Sequence, residues 1–343
     1  MSAGRQGLPA PSFSPGSLTR SLRSHPMWKD DPRLVLPRAV AVLAAAVMIV
    51  AAATTEGFFS SVNYQSILTS MSVTGILAVG LTPIMLSGNY FSLALGATVV
   101  TSASAFLAAL TFGVVPAILM ALGLALIFGL VQGVVIGGLR ADPIITTIAF
   151  STIATGVALG ITGGNAVTPG GDSSAYRSLV DTHIFGVSIE VFIFAGVALL
   201  VALLLRWTRW GREVYLLGSS QSAAKTSGLN TFWVVAGAFV LASLCAGVAG
   251  IIRGASTGQM TLGFVANYDF DAVTAVLVGG TAITGGRGSV FRTVVGVFVL
   301  AVLSDVLLLR GANLETQLFV KGLIVLVVVS LTGWVELGSR RGA

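Results

Sequence analysis

Two carboxylates, Asp271 and Asp305, lie in or beside long apolar stretches, where ionisable side chains are rare. A charged side chain within a membrane is costly and is functional by default. Asp271 precedes a short apolar segment, so it can serve as a helix N-cap or contact a solute, and both interpretations stay open. Asp305 lies close to the end of its segment, which favours a hydrated acid or a pair with Arg310. The chemistry open to such acids is ion coupling across a membrane.

Catalytic chemistry has no comparable support. No nucleophile, base and orienting acid stand at recognisable separations, and no His, Cys or acidic pair has metal-ligand spacing. The tripeptide Ala-Lys-Thr at 224–226 resembles the end of a phosphate-binding loop, but Ser219 and Ala224 stand where that loop needs glycines. The single cysteine, Cys245, excludes a disulfide within the chain. The sequence therefore predicts a protein that is not an enzyme and holds no metal and no cofactor of its own.

The composition predicts an integral membrane protein. The chain is 55% hydrophobic and 9% charged, with a mean hydropathy of +0.94, whereas soluble domains are about a quarter charged. Many of the 42 glycines lie inside apolar runs, where they let membrane helices approach closely. Basic residues are scattered between these runs and form no stripe with interleaved aromatics, which argues against nucleic-acid binding.

The apolar runs predict an all-α, polytopic transmembrane helical bundle with about ten membrane segments, since about 20 residues cross the hydrocarbon. The segments are 39–55, 67–86, 93–112, 114–139, 144–161, 187–205, 232–252, 272–283, 290–309 and 318–331. They define a membrane domain, 39–335, between an N-terminal tail, 1–38, and a C-terminal tail, 336–343.

The basic residues predict the orientation of this bundle. With ten crossings and a cytoplasmic N-terminus, only Arg177, Arg253, Arg310 and Lys321 of the 19 basic residues lie outside. Cytoplasmic loops of membrane proteins carry an excess of Lys and Arg. Both termini are therefore expected in the cytoplasm.

Two polar, glycine-bounded breaks interrupt the apolar pattern. The first, 87–96, contains Asn89, Tyr90 and Ser92. The second surrounds the eighth segment, which is too short to cross as a straight helix. Broken helices at membrane depth occur where they line a pathway, so we expect these breaks to line one. The candidate residues of the second break are Asp271, Thr274, Gly279, Gly280, Gly285 and Gly286.

The longest strongly polar connection on the predicted cytoplasmic side is 206–230. It closely resembles the coupling segment of permease subunits of bacterial ABC importers for ribose and other monosaccharides, which docks on the ATPase through a short helix. The residues that match this segment are Gly211, Arg212, Tyr215, Gly218, Ala223, Ala224, Ser227 and Gly228, and Lys225 lies among them.

The resemblance extends over about residues 64–334. Its most specific part is 279–289, GGTAITGGRGS. One departure is clear: the family usually has an aspartate in a GGIDLSVG-like segment, whereas residues 88–96 here read GNYFSLALG without an acid. The missing carboxylate weakens the expectation of a pentose or hexose as the solute.

The resemblance implies an assembly in the bacterial inner membrane. Its parts would be two permease copies, identical or related, two cytoplasmic ATPases that bind ATP and Mg²⁺, and an external solute-binding protein. The solute implied is a monosaccharide or a related sugar. Importers of branched-chain amino acids or nucleosides stay open as alternatives, as does an ion-coupled secondary transporter that would use Asp271 and Asp305.

Overall fold

The computed structural model describes residues 53–89, 91–169, 176, 182–184, 186–261 and 268–340. The predicted N-terminal tail and most of the predicted first segment lie outside these residues, as do Tyr90 and the last three residues of the chain.

Eleven α-helices are described, together with one short hairpin. In chain order the helices are α1 (Ser61–Leu86), α2 (Leu95–Ala109), α3 (Val114–Leu139), α4 (Pro143–Thr162), α5 (Ile189–Trp207), α6 (Arg209–Ser219), α7 (Gln221–Thr226), α8 (Thr231–Thr257), α9 (Tyr268–Val278), α10 (Val290–Leu309) and α11 (Leu314–Arg340). A 3₁₀ turn, Leu110–Phe112, continues α2. The strands β1 (His183–Ile184) and β2 (Val187–Ser188) pair antiparallel before α5.

Seven helices in the described part of the chain, α1 to α5, α8 and α10, are long and apolar enough to cross a membrane. They correspond to the predicted second to seventh and ninth segments. The eighth predicted segment falls on α9, which has only 11 residues. The tenth falls within α11, a helix of 27 residues that continues into the predicted C-terminal tail. The prediction of an all-α helical bundle with short segments is therefore confirmed.

The core of the bundle forms around α8, which packs against α1, α2 and α3. In α1, 78% of the apolar window is buried, whereas in α4 only 11% is buried. Buried apolar side chains of α1 include Ile76, Leu81 and Leu86, all without exposed surface. Thus α1 is a central helix, and α4 turns its apolar side chains outward, as a helix in contact with lipid does.

Small residues bring α3 and α8 into direct backbone contact. A Cβ atom on Gly129 would lie 2.7 Å from Val240 Cα, and one on Gly133 would lie 2.8 Å from Ala236 Cα. Neither distance leaves room for a side chain. Because lipid supplies no hydrophobic drive between helices, this close van der Waals packing stabilises the pair.

We expect Gly133→Leu to separate α3 from α8 and lower the thermal unfolding midpoint of the purified protein by a few degrees. Overpacking of this kind costs about 1–3 kcal/mol. Gly123→Leu is the control on the same helix, because a Cβ there meets no atom within 4 Å. Equal midpoints for the two variants would contradict the assigned contact.

Candidate functional site

The predicted coupling loop folds as two consecutive short helices, α6 and α7, between α5 and α8. Thr208 begins α6, since its hydroxyl accepts a hydrogen bond from Gly211 N at 3.0 Å. Ser220 begins α7 in the same way, accepting from Ala223 N at 3.2 Å. These N-caps satisfy amide groups that would otherwise lack partners. We call this segment, residues 209–228, the elbow.

The elbow contacts the end of α1 through Gly218. A Cβ atom at this position would overlap the carbonyl oxygen of Leu86 and would lie 2.5 Å from Gly286 N. The same Leu86 oxygen accepts a hydrogen bond from Gly286 N at 2.9 Å. Only glycine at position 218 allows the three backbone segments to meet.

The turn between α9 and α10 completes this contact. Gly285 has φ +89°, which favours glycine, and a Cβ on it would lie 2.7 Å from Gly88 Cα. A Cβ on Gly286 would lie 2.7 Å from Ser219 Oγ. Both polar breaks of the sequence therefore touch the elbow. We call Gly88, Gly218, Gly285 and Gly286 the glycine junction.

A side chain of the elbow adds a further bond at the junction. The Tyr215 hydroxyl donates to Gly288 O at 3.2 Å. Burial raises the pKa of the Tyr215 phenol, and the charge of Arg292 opposes this shift. The hydroxyl thus keeps its proton at neutral pH and remains a donor.

Other matched residues of the elbow divide between its core side and its exposed side. Ala224 is fully buried in the hydrophobic core of the chain, and Gly211 packs on the backbone of Leu205. The small size of both residues therefore serves packing within this chain. The exposed members are Arg212, Ala223, Lys225, Ser227 and Gly228.

Residues of the second break differ in their contacts. Gly279 lies against the backbone of α10, since a Cβ there would lie 3.1 Å from Thr293 Cα. Gly280 follows α9 with φ +82° and has open space beside it. Thr274 is buried, and its hydroxyl donates to Phe270 O at 2.6 Å. Thr274 is thus bonded within α9, Gly279 packs the end of this helix against α10, and Gly280 lies in the turn that follows it.

The first break opens on a cavity of about 850 Å³ beside the elbow. Asn89 lines this cavity together with Arg140 and Lys225, and its Nδ2 donates to Ser87 Oγ at 2.8 Å. Ser92 is fully buried, and its Oγ accepts from Ala94 N at 3.3 Å. Asn89 therefore lines a cavity, whereas Ser92 is bonded within the turn.

Asp269 is a residue that the sequence reasoning missed. It is 7% exposed, and its Oδ1 accepts a hydrogen bond from Gly96 N, at the start of α2, at 2.8 Å. A carboxylate at this end of a helix is favoured by the helix dipole. The 88–96 segment has no acid of its own, and a carboxylate from α9 accepts the hydrogen bond of its last residue, Gly96, instead.

Asp271 lines a second cavity, of about 640 Å³, at the opposite end of the bundle from the elbow. Its carboxylate forms an ion pair with Lys321 of α11, with an Nζ–Oδ1 distance of 2.9 Å. We call this space the polar cavity.

Asp305 differs from its prediction. Asn63 Nδ2 donates to Asp305 Oδ2 at 2.7 Å, whereas Arg310 donates to the hydroxyls of Thr54 and Thr55. The prediction of a hydrated or Arg310-paired acid is wrong, because Asp305 is buried and the amide of Asn63, on the neighbouring α1, reaches its carboxylate. Among the described residues, no three His, Cys, Asp or Glu side chains could together hold a metal ion.

Gly218→Ala adds one methyl group where the junction has no room for it. We expect this variant to weaken the bond from Gly286 N to Leu86 O and to raise hydrogen–deuterium exchange of peptide 284–289 about fivefold or more. Gly156→Ala is the control, because a Cβ at that helical position meets no atom within 4 Å. Unchanged exchange in Gly218→Ala would refute the junction.

Comparison with known proteins identifies the family. Residues 63–329 match the family described as branched-chain amino acid transport system / permease component. The ribose import permease protein of Escherichia coli (strain K12) is 32% identical over 277 residues, covering 79% of this chain and 86% of that protein.

Two further relatives cover similar lengths. The Bacillus subtilis ribose import permease protein is 29% identical over 288 residues, covering 83% of this chain and 88% of its own. The fructose import permease protein of Rhizobium meliloti is 27% identical over 315 residues, covering 88% and 86%. No solved structure matches the chain significantly. The resemblance read from the sequence is confirmed, and the chain belongs to this family of multi-pass membrane permease components.

Proposed function

We propose that the chain is the permease subunit of an ATP-driven importer that carries a monosaccharide or a related sugar across the bacterial inner membrane. The names of its relatives support the solute class, since they include ribose, fructose and D-allose permeases. The family description, which names branched-chain amino acids, supports an amino acid as the alternative solute.

The glycine junction is the observation that carries this proposal. Gly218 of the elbow touches the end of α1 and the turn after α9 through backbone atoms. Since no flexible side chain lies between these segments, a displacement of the elbow has to displace both breaks. A partner that moves the elbow would in this way act on the central helix of the bundle.

The proposed importer has three kinds of partner. Two cytoplasmic ATPases, which bind ATP and Mg²⁺, would dock on the exposed side of the elbow and move it. A solute-binding protein would deliver the sugar at the opposite end, and a second permease copy would complete the path. The charge asymmetry of the sequence supports a cytoplasmic elbow and cytoplasmic termini.

Ion coupling has less support than ATP coupling. Asp271 is paired with Lys321, and Asp305 is hydrogen-bonded to Asn63. A carboxylate that binds a coupling ion has to exchange that ion during each cycle, and both acids here already have partners. The elbow, in contrast, presents the small residues Ala223, Ser227 and Gly228 on its exposed side.

We expect bacterial cells that contain the whole system to take up at least one labelled sugar among D-ribose, D-fructose and D-allose, and not L-leucine. Uptake should stop when the ATPase is inactivated. Uptake of leucine alone would favour the alternative solute. Sugar uptake that continues without ATP hydrolysis would contradict the proposal.

In the same system, Ala223→Trp should abolish both uptake and co-purification of the ATPase, because it places a bulky ring on the exposed side of the elbow. Thr111→Trp, at an exposed position outside the elbow, is the matched control and should preserve both. If the ATPase co-purifies normally with the Ala223→Trp variant and uptake is intact, the elbow is not the docking site.

A further inference from the structure

The polar cavity is built from four helices, α1, α5, α8 and α9. Its α1 wall carries hydroxyl side chains at helical spacing, namely Ser66, Thr69, Ser70 and Thr74. Residues three and four apart lie on one face of a helix. Helix α1 is among the most buried in the bundle. It nevertheless presents a row of hydroxyl groups to the polar cavity.

Glu190, in the first turn of α5, also lines the polar cavity. It is only 2% exposed, yet its Oε1 has no hydrogen-bond partner in the described part of the chain. Leaving a buried acceptor unpaired costs free energy, and more so for a charged group. The helix dipole favours an acid in the first turn, but it supplies no donor to Oε1. A ligand hydroxyl in the cavity would supply one.

The charges around the cavity balance. Arg253 lines the cavity and lies close enough to Glu190 and Tyr268 for electrostatic interaction. Asp271, the other acid in the wall, is paired with Lys321. Two acids and two bases leave no net charge for an ionic ligand to neutralise. The wall thus presents hydroxyl groups and, at Glu190 Oε1, a carboxylate oxygen with no donor among the described residues. These groups match an uncharged ligand rich in hydroxyls.

We propose that Glu190 is a solute-contacting residue of the polar cavity, where its carboxylate accepts hydrogen bonds from hydroxyl groups of a neutral polyhydroxylated solute. This inference rests on the proposed function and deepens it: it names a residue that contacts the hydroxyl groups of the sugar. Leucine can donate to Oε1 only through its ammonium group, and its apolar side chain offers nothing for the hydroxyl groups of α1 to bond. A site built to bond a hydroxyl rejects analogues that lack it.

The test uses a reporter cysteine in the full transport system. Cys245, which is buried, is replaced by Cys245→Ala, and Ser66→Cys then places a single thiol in the cavity wall. Its rate of labelling by an impermeant sulfonated methanethiosulfonate is measured with and without millimolar D-ribose, D-fructose and D-allose. The sugar that the cells take up should slow the labelling.

Adding Glu190→Gln should raise the sugar concentration that gives half-protection about tenfold or more, because the charged acceptor becomes a neutral amide and one of its two oxygens is replaced by a donor. The thermal unfolding midpoint of the purified variant should not fall, whereas a structural defect would lower it. Glu56→Gln, an exposed acid, is the control and should leave protection unchanged.

The outcomes separate the two proposals. Uptake of none of the three sugars overturns the proposed function, and this inference with it. Uptake of a sugar that gives no protection, or protection that survives Glu190→Gln unchanged, overturns this inference alone. A lowered unfolding midpoint in Glu190→Gln assigns the residue to the fold and overturns this inference as well.

Discussion

The contact between the Gly218 backbone and the Leu86 carbonyl oxygen is the constraint on which the rest of this architecture depends. Because Gly218 has no side chain, the elbow approaches the end of α1 more closely than any other residue at this position would permit. Leu86 also ends the central helix α1. The elbow is therefore in direct contact with the best-buried part of the bundle.

The short helix α9 runs from the polar cavity towards the glycine junction. Its first turn carries Asp269, which binds the start of α2, and Asp271, which lies in the polar cavity. Its C-terminal end leads into the Gly285 and Gly286 turn of the junction. At about 1.5 Å per residue, 11 residues span about half the hydrocarbon thickness. A displacement of the elbow would therefore be transmitted through α9 to the wall of the polar cavity.

The sequence predicted the helices better than it predicted their contacts. Segments 114–139 and 290–309 match α3 and α10 at both ends, because hydropathy and flanking glycines act locally. The sequence singles out all four junction glycines as members of polar breaks or of the coupling segment. It does not predict that they contact one another, because this depends on how distant segments pack.

Asp269 and Glu190 were missed as site residues for a similar reason. Each is an acid in the first turn of a helix, which has an ordinary local explanation. Their significance lies in a long-range bond to Gly96 in one case, and in a cavity with an unpaired oxygen in the other.

In the proposed importer, the elbow and both breaks move as one unit when the partner ATPases bind and hydrolyse ATP. This joint movement is tested most directly by spin-label distances in the assembled transporter, in a Cys245→Ala background. One pair, Ser222→Cys with Arg287→Cys, joins the elbow to the junction turn; a second, Ser222→Cys with Thr111→Cys, joins it to a reference position outside the junction. Trapping the ATP-bound state should leave the first distance unchanged and shift the second. A shift in the first distance with the second constant would mean that the elbow moves alone, and the account would be wrong.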